Sequence, residues 1–247
     1  MPEKNKLNNS NKMNYYKKEG KIKGSLKIEG NLILTGDLEV EEEIEVTGYI
    51  GCKGYSIEAG SSIKAGNSIE SGYSIKAGNS IEAGSSIKAG YSIEAGNSIE
   101  SGGSIKAGRW IKAGDWIKAG YSIEAGGSIE SGGWIEAGDW IEAGESIKAG
   151  NSIESGGWIE AGGSILSQLW IKCKTTLSAG IYIYAGIKTW GERAEEEMLI
   201  ECGKLSSGEI EFGNLVETRI GKPEEMIELD GKKYSKSTLK EALKAYV

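Results

Sequence analysis

The chain has 247 residues, of which 38 are Gly and 26% are charged, with a formal net charge of −7 and no His. An acidic balance without a compact Lys/Arg run excludes a nucleic-acid binder that relies on phosphate neutralisation. The three cysteines, Cys52, Cys173 and Cys202, have no Cys-x-x-Cys spacing and no His to complete a zinc site, so neither a metal nor another cofactor is predicted. They are interpreted as buried thiols in a reducing compartment.

Residues 1 to 21 are predicted to be a disordered, solvated N-terminal tail, because they are rich in Lys and Asn and contain no apolar run. The same absence predicts no signal peptide. No later stretch has the length and apolarity of a transmembrane helix. The expected protein is therefore soluble and cytoplasmic, with no membrane partner.

The next segment, residues 22 to 190, is predicted to be a parallel β-solenoid of hexapeptide repeats. From Tyr55 the chain reads YSIEAG SSIKAG NSIESG, and the Ile position keeps a period of six from Ile57 to Ile183. On a helix, apolar residues with this period would form a stripe that drifts around the axis. Short strands joined by tight corners explain the period directly. In each strand Ile points inward, the next residue outward, and Ala or Ser inward again. Gly and Asn at the corners are interpreted as residues that tolerate positive φ.

The N-terminal hexads keep apolar residues at both inward positions, from Leu26 and Ile28 to Ile50 and Cys52. The interval from Ile50 to Ile57 is one residue longer than a hexad, which predicts a one-residue insertion near Gly54. Outward Lys and Glu indicate the number of hexads per coil, because residues stacked on adjacent rungs should have opposite charge. At a step of three hexads, 10 of 15 neighbours between Glu58 and Glu160 are opposite in sign. The fold class is thus all-β, a three-sided solenoid with three hexads in each coil and about nine coils.

Two known families have triangular coils of this length. The left-handed hexapeptide acyltransferases place a small inward residue two positions before the aliphatic one and use a catalytic His, so this chain departs from them. The segment GKIKGSLKIEGNLILTGDLEVEEEIEVTGYIGCKG, residues 20 to 54, resembles the bactofilins, which are polymer-forming bacterial scaffold proteins. That resemblance implies a triangular β-helix and the possibility of self-association.

After the solenoid, residues 191 to 221 are predicted to form a cap of irregular terminal strands, and residues 222 to 247 a β-hairpin-helix module. Asp230-Gly231 suits a type I′ turn between two short strands. Ser237 is expected to cap an amphipathic helix that places Leu239, Leu243 and Tyr246 on one face. This module resembles terminal modules of phage proteins, which implies a phage or mobile-element origin and hence a host-cell cytoplasmic location.

The candidate protein-binding site consists of tryptophans that precede the inward Ile, and of acidic residues around them. Exposed aromatic residues often mark a binding surface, although a purely structural aromatic ladder is an alternative. The acidic residues indicate either a solvated face or a surface that imitates nucleic acid or meets a basic protein. The predicted set is Trp110, Trp116, Trp134, Trp140, Trp158, Asp115, Asp139, Glu136 and Glu142.

The function expected from these features is that of a non-enzymatic scaffold, assembly protein or protein-binding solenoid. No catalytic residue is predicted, because exposed Glu on a convex rod lack the burial that tunes a general acid. The alternative is a phage inhibitor that binds a host defence or nucleic-acid-processing protein through the Trp and acidic residues. A small-ligand sponge is a third possibility. A protein partner is expected in the first two cases, and direct nucleic-acid binding in none.

Overall fold

The structure is a computed structural model that describes residues 13–16, 21–186, 198–218, 226–229 and 232–235. Its architecture is an all-β parallel solenoid, as the hexad period predicts. The strands before the predicted insertion are β1 (Met13–Tyr16), β2 (Leu26–Ile28), β3 (Asn31–Leu34), β4 (Leu38–Val40), β5 (Ile44–Val46) and β6 (Ile50–Cys52).

The central array contains twenty strands of three or four residues each. They are β7 (Ile57–Ala59), β8 (Ile63–Ala65), β9 (Ile69–Ser71), β10 (Ile75–Ala77), β11 (Ile81–Ala83), β12 (Ile87–Ala89), β13 (Ser92–Ala95), β14 (Ser98–Ser101), β15 (Ile105–Ala107), β16 (Trp110–Ala113), β17 (Trp116–Ala119), β18 (Ser122–Ala125), β19 (Ile129–Ser131), β20 (Ile135–Ala137), β21 (Trp140–Ala143), β22 (Ile147–Ala149), β23 (Ile153–Ser155), β24 (Ile159–Ala161), β25 (Ile165–Ser167) and β26 (Ile171–Cys173).

The C-terminal strands are longer and less regular. They are β27 (Thr176–Ala185), β28 (Leu199–Cys202), β29 (Lys204–Phe212), β30 (Asn214–Glu217), β31 (Met226–Leu229) and β32 (Lys232–Ser235).

Each strand of the array pairs in parallel with the strand three places along the chain, so one coil contains three strands. Ile117 of β17, for example, lies between Ile99 and Ile135, each exactly three hexads away. We name the three sides of the solenoid by their strands. Face 1 contains β7, β10, β13, β16, β19, β22 and β25; face 2 contains β8, β11, β14, β17, β20, β23 and β26; face 3 contains β9, β12, β15, β18, β21 and β24.

The predicted insertion near Gly54 is confirmed by the register. Leu32 pairs with Ile50, three hexads along the chain, whereas Leu38 pairs with Ile57 and Ile50 with Ile69, each one residue further than three hexads. Gly54 has a φ of 81°, a left-handed conformation that favours glycine. The extra residue is therefore absorbed at a corner, and the inward set of residues continues unchanged.

The core consists of inward Ile side chains stacked from coil to coil, and those from Ile44 to Ile200 are fully buried. Ala occupies the second inward position in most strands. Where Ser replaces Ala, the corner supplies hydrogen bonds for the buried hydroxyl. The Ser71 Oγ donates to the Tyr55 carbonyl oxygen at 2.6 Å and accepts from the Tyr73 N–H at 3.2 Å. Ser101, Ser131, Ser155 and Ser167 donate to corner carbonyls in the same way. These hydroxyls are satisfied, which removes the cost of burying them.

The corner glycines are required for a different reason from the predicted one. Among the described residues, positive φ occurs in glycine only at Gly24, Gly30, Gly54, Gly186, Gly208 and Gly213, and none of these is a corner of the regular array from Gly60 to Gly180. A Cβ at the array corners would instead meet a backbone carbonyl of the preceding coil. At Gly114 the distance from such a Cβ to the Gly96 oxygen would be 1.8 Å. The positive-φ interpretation is wrong for the array, because close stacking of successive corners is what excludes a side chain.

The parallel ladder extends beyond both boundaries predicted for the solenoid. Strand β1, within the segment expected to be a tail, pairs with β3 at the same three-hexad step. At the other end β28 pairs with β26, and β30 pairs with β28. The sheet that contains face 2 therefore has 11 strands. At about 4.8 Å per rung, its ten steps span about 48 Å, longer than a rod of nine coils.

The C-terminal hairpin is present as the antiparallel pair β31 and β32, with Leu229 opposite Lys232. The predicted helix after Ser237, and the turn at Asp230-Gly231, lie outside the described residues. Within the described ranges no helix is long and apolar enough to cross a membrane.

Candidate interaction surface

Six tryptophans begin strands of the array or directly precede them, and their side chains point outward because each directly precedes an inward Ile. The three-strand coil distributes them over different sides. Trp110 lies on face 1; Trp116, Trp134 and Trp170 lie on face 2; Trp140 and Trp158 lie on face 3. The five predicted tryptophans therefore do not form one continuous surface.

Four of the tryptophans form two stacked pairs, as the three-hexad step predicts. The ring centroids of Trp116 and Trp134 are 5.1 Å apart with an interplanar angle of 4°. Those of Trp140 and Trp158 are 5.0 Å apart at 1°. Trp134 is 39% exposed and the other three are half-buried. Each pair presents a flat apolar strip along the axis of the rod.

Serine occupies the same outward position in most other hexads. There the hydroxyls of successive rungs hydrogen-bond to one another, as Ser80 does with Ser98 at 3.0 Å and Ser104 with Ser122 at 2.9 Å. The solenoid thus has a polar ladder at this position, and the tryptophans replace it locally. Stable coils do not require an aromatic ring there.

Trp110 has a different environment. The Arg109 guanidinium carbon lies 5.2 Å from the Trp110 ring centroid and 5.6 Å from that of Tyr91, and Arg109 Nη1 donates to the Tyr91 hydroxyl at 2.9 Å. Sequence reasoning included Trp110 but missed Arg109 and Tyr91. The sequence contains a feature that singles out Arg109, since it is the single Arg of the hexad array and directly precedes the first Trp of that array.

A surface depression of about 450 Å³ adjoins this group. On the next rung Gly127 and Ser128 occupy the positions of Arg109 and Trp110. Gly has no side chain and that of Ser is small, so a gap bounded by Glu145 remains. The depression is a shallow step in the surface of face 1 and is open to solvent. A second one, about 330 Å³, lies between Tyr49 and Tyr55 near the insertion.

The predicted acidic residues also fall on different sides. Asp115 and Asp139 are exposed at corners before face 2 and face 3, respectively. Glu136 on face 2 has an ion pair with Lys118 at 3.1 Å. Glu142 on face 3 stacks between Glu124 and Glu160. The structure therefore combines Asp139 and Glu142 with the Trp140–Trp158 pair, and Asp115 and Glu136 with the Trp116–Trp134 pair.

Replacing Glu142 by Gln should stabilise the fold, whereas replacing Glu130 by Gln should destabilise it. Glu130 lies between Lys112 at 3.6 Å and Lys148 at 3.5 Å, while Glu142 lies between two carboxylates. Each effect should be about 0.2–1 kcal/mol, since the charges are exposed. Urea denaturation in low salt measures both. In high salt, where the charges are screened, the difference in sign between the two changes in stability should disappear. A loss of stability in both variants would contradict the effect of the stacked charges.

The three cysteines are buried thiols within the described core. Burial raises the pKa of Cys52 and of Cys202 to about 11 and that of Cys173 to about 12. These thiols are therefore protonated at neutral pH and poor nucleophiles. No group of three or more His, Cys, Asp or Glu side chains in the described ranges is arranged to hold a metal ion.

Comparisons with known proteins leave the chain without an assigned family. No protein-family model matches it, no curated protein matches it, and no solved structure matches it.

Proposed function

We propose that the protein is a non-enzymatic, protein-binding scaffold whose tryptophan stacks contact a partner. The observation that carries the proposal is the pair of parallel stacks, Trp116–Trp134 and Trp140–Trp158, on two sides of a rigid rod. Tryptophan dominates the energetics of protein interfaces because a large ring buries much apolar area with few rotatable bonds. Two strips on different faces allow one partner to wrap the rod, or two partners to bind together.

The position of the rings favours binding over a purely structural ladder. Serine suffices at this position from Ser56 to Ser104, in coils with the same buried Ile and Ala. All seven tryptophans of the chain lie at or after residue 110. A stabilising ladder would be useful in every coil, whereas a binding surface is local.

The resemblance of residues 20 to 54 to bactofilins supports an assembly role, including self-association of the rod. The resemblance of the C-terminal module to those of phage proteins supports a phage or mobile-element origin, with action in the host cytoplasm. The assembly role and the phage origin are both part of the proposal; the oligomeric state tests the former and the identity of the partner tests the latter. Size-exclusion chromatography with light scattering measures the oligomeric state. Filaments or large oligomers favour the scaffold, and a discrete monomer or dimer favours a binder.

Changing Trp116, Trp134, Trp140 and Trp158 to Ser should abolish partner binding while the solenoid stays folded. The variant restores the residue that most other hexads carry, at a cost of about 0.5–1.5 kcal/mol per lost stack. Loss of a central aromatic anchor commonly costs about 2 kcal/mol or more in binding. Quantitative pull-down from host lysate, beside a thermal melt, measures both effects for parent and variant.

The matched control is Tyr73→Ser, which removes a stack of the same geometry from the corner before face 1. The rings of Tyr73 and Tyr91 are 5.1 Å apart at 4°, and Ser stands at the equivalent corner positions 61 and 85. This variant should retain every parental partner. A folded quadruple variant that retains them too would overturn the proposal, and a quadruple variant that unfolds would assign the rings to stability.

A second candidate function is inhibition of a host defence or nucleic-acid-processing protein. The stacked carboxylates Glu124, Glu142 and Glu160 favour it, since they form a negative strip beside the half-buried rings of Trp140 and Trp158. An inhibitor would form a discrete complex with one host protein and block its nucleic-acid binding. A scaffold would bind without that competition.

A further inference from the structure

Face 3 departs from the charge alternation that face 1 maintains. Its outward carboxylates Glu124, Glu142 and Glu160 occupy three successive rungs. Glu124 has an ion pair with Lys106 at 2.7 Å, and among the described residues no ion pair involves Glu142 or Glu160. On face 1 the residues at equivalent positions alternate, and Glu130 bridges two lysines. Like charges on adjacent rungs are destabilising, so this strip is a local cost to the fold.

The Trp140–Trp158 stack lies on the same two rungs as the unpaired carboxylates. Trp140 and Glu142 belong to β21, while Trp158 directly precedes β24 and Glu160 lies within it. Residues two apart on a strand point to the same side, about 6.6 Å from each other. Two stacked rings therefore run beside two free carboxylates, and the exposed Asp139 borders them at the corner. We name these five residues the face 3 patch.

We propose that the face 3 patch binds a segment of a partner protein rich in Arg and Lys. This inference rests on the proposed function and names the chemistry of its partner. Indole rings attract cations through their π faces, and Arg is the side chain that most often occupies such a position. The carboxylates lie beside the rings, where they can accept charge-assisted hydrogen bonds. The partner also relieves the repulsion between Glu142 and Glu160. A nucleic acid backbone would instead be repelled.

Face 2 shows why the patch is specific to one side. Its stack, Trp116–Trp134, has the same geometry, but the adjacent outward residues are Lys118 and Glu136, which form an ion pair with each other at 3.1 Å. The two strand residues beside that stack therefore neutralise each other, and the exposed Asp115 borders it at the corner as Asp139 does on face 3. The two stacks therefore form a natural pair for comparison.

The probe is a fluorescein-labelled peptide of nine arginines, titrated with the full-length protein and followed by fluorescence anisotropy in low salt. Glu142→Gln/Glu160→Gln should raise Kd at least about tenfold, the loss of two charge-assisted contacts. The control Glu94→Gln/Glu130→Gln on face 1 changes the net charge equally and should raise Kd less than about twofold, since only the total charge differs. An equal increase in Kd for both variants would mean that peptide binding depends only on the net charge of the protein. That result would overturn the face 3 patch as a binding site.

The rings are tested by the same titration. Trp140→Ser/Trp158→Ser should raise Kd about fivefold or more through lost cation–π contacts, whereas Trp116→Ser/Trp134→Ser should leave it within about twofold. Equal increases in Kd for the two double Ser variants would overturn the role of the face 3 rings. Failure of the parent protein to bind the peptide would overturn the proposal of a cationic partner. In that last case, loss of lysate partners by the quadruple Ser variant would still support the proposed function. The two proposals therefore fail separately.

Discussion

Ile117→Asp is expected to abolish cooperative folding of the solenoid. The Ile117 side chain is fully buried in mid-array and stacks between Ile99 and Ile135. Removing its packing alone costs about 2–5 kcal/mol. An unpaired carboxylate in the same site adds a desolvation penalty of several kcal/mol. Together these approach the whole stability of a typical domain, about 5–15 kcal/mol. Thermal melting followed by far-UV circular dichroism should show no transition near that of the parent.

Two control variants separate burial from the introduced charge. Lys118→Asp places the same residue one position later, outside the rod, where it removes the exposed ion pair with Glu136 and puts a carboxylate between Glu100 and Glu136. Each of these two effects is worth about 0–1 kcal/mol, because the charges are exposed. Ile117→Val keeps the site apolar and should cost about 0.5–1.5 kcal/mol. If the Ile117→Asp variant melts within a few degrees of the parent, the assignment of the Ile side chains to the interior is wrong.

Gly114→Ala is expected to destabilise the fold by about 3 kcal/mol, the upper end of overpacking effects. The added Cβ would lie 1.8 Å from the Gly96 carbonyl oxygen and 2.9 Å from its carbon. These are backbone atoms, so no side chain can rotate away. The coils would have to separate where Asp115 N–H donates to the Asn97 oxygen at 2.6 Å. Equilibrium denaturation in urea measures the change.

The matched control is Gly36→Ala, because no atom lies within 4 Å of a Cβ placed there and the backbone has no positive φ. This substitution should be neutral or slightly stabilising, since Ala restricts the unfolded chain more than Gly. Equal loss of stability at both positions would indicate a general cost of replacing Gly, and would contradict close stacking of the corners as the cause.

Much of the architecture follows from the period of the sequence. The hexad spacing of Ile predicted the strands, and the charge pattern at a step of three hexads predicted three strands per coil. The interval between Ile50 and Ile57 predicted the insertion at Gly54. The same step predicted both tryptophan stacks. These properties are readable because a parallel ladder repeats one local relation, so that a separation along the chain becomes a position in space.

The ends of the rod were harder to predict. Neither Met13–Tyr16 nor the strands after residue 198 follows the IEAG pattern, yet both join the ladder. A growing sheet offers unpaired backbone groups at its edge, and an adjacent segment of suitable length can satisfy them with many different side chains. Hydrophobic periodicity therefore marks the centre of the solenoid better than its limits.

The sequence by itself determined the coil, its register and which side chains point outward, because these depend on the alternation within a strand, on the hexad and on the three-hexad coil. The three-dimensional arrangement decided what those outward residues meet. It placed Arg109 over Trp110 and Tyr91, and left Glu142 and Glu160 without an ion pair to any described residue, beside stacked rings. It also showed that a carbonyl of the previous coil excludes a side chain at the corner glycines. Such contacts depend on the path of the corners and on side-chain conformations, which a repeat period does not specify.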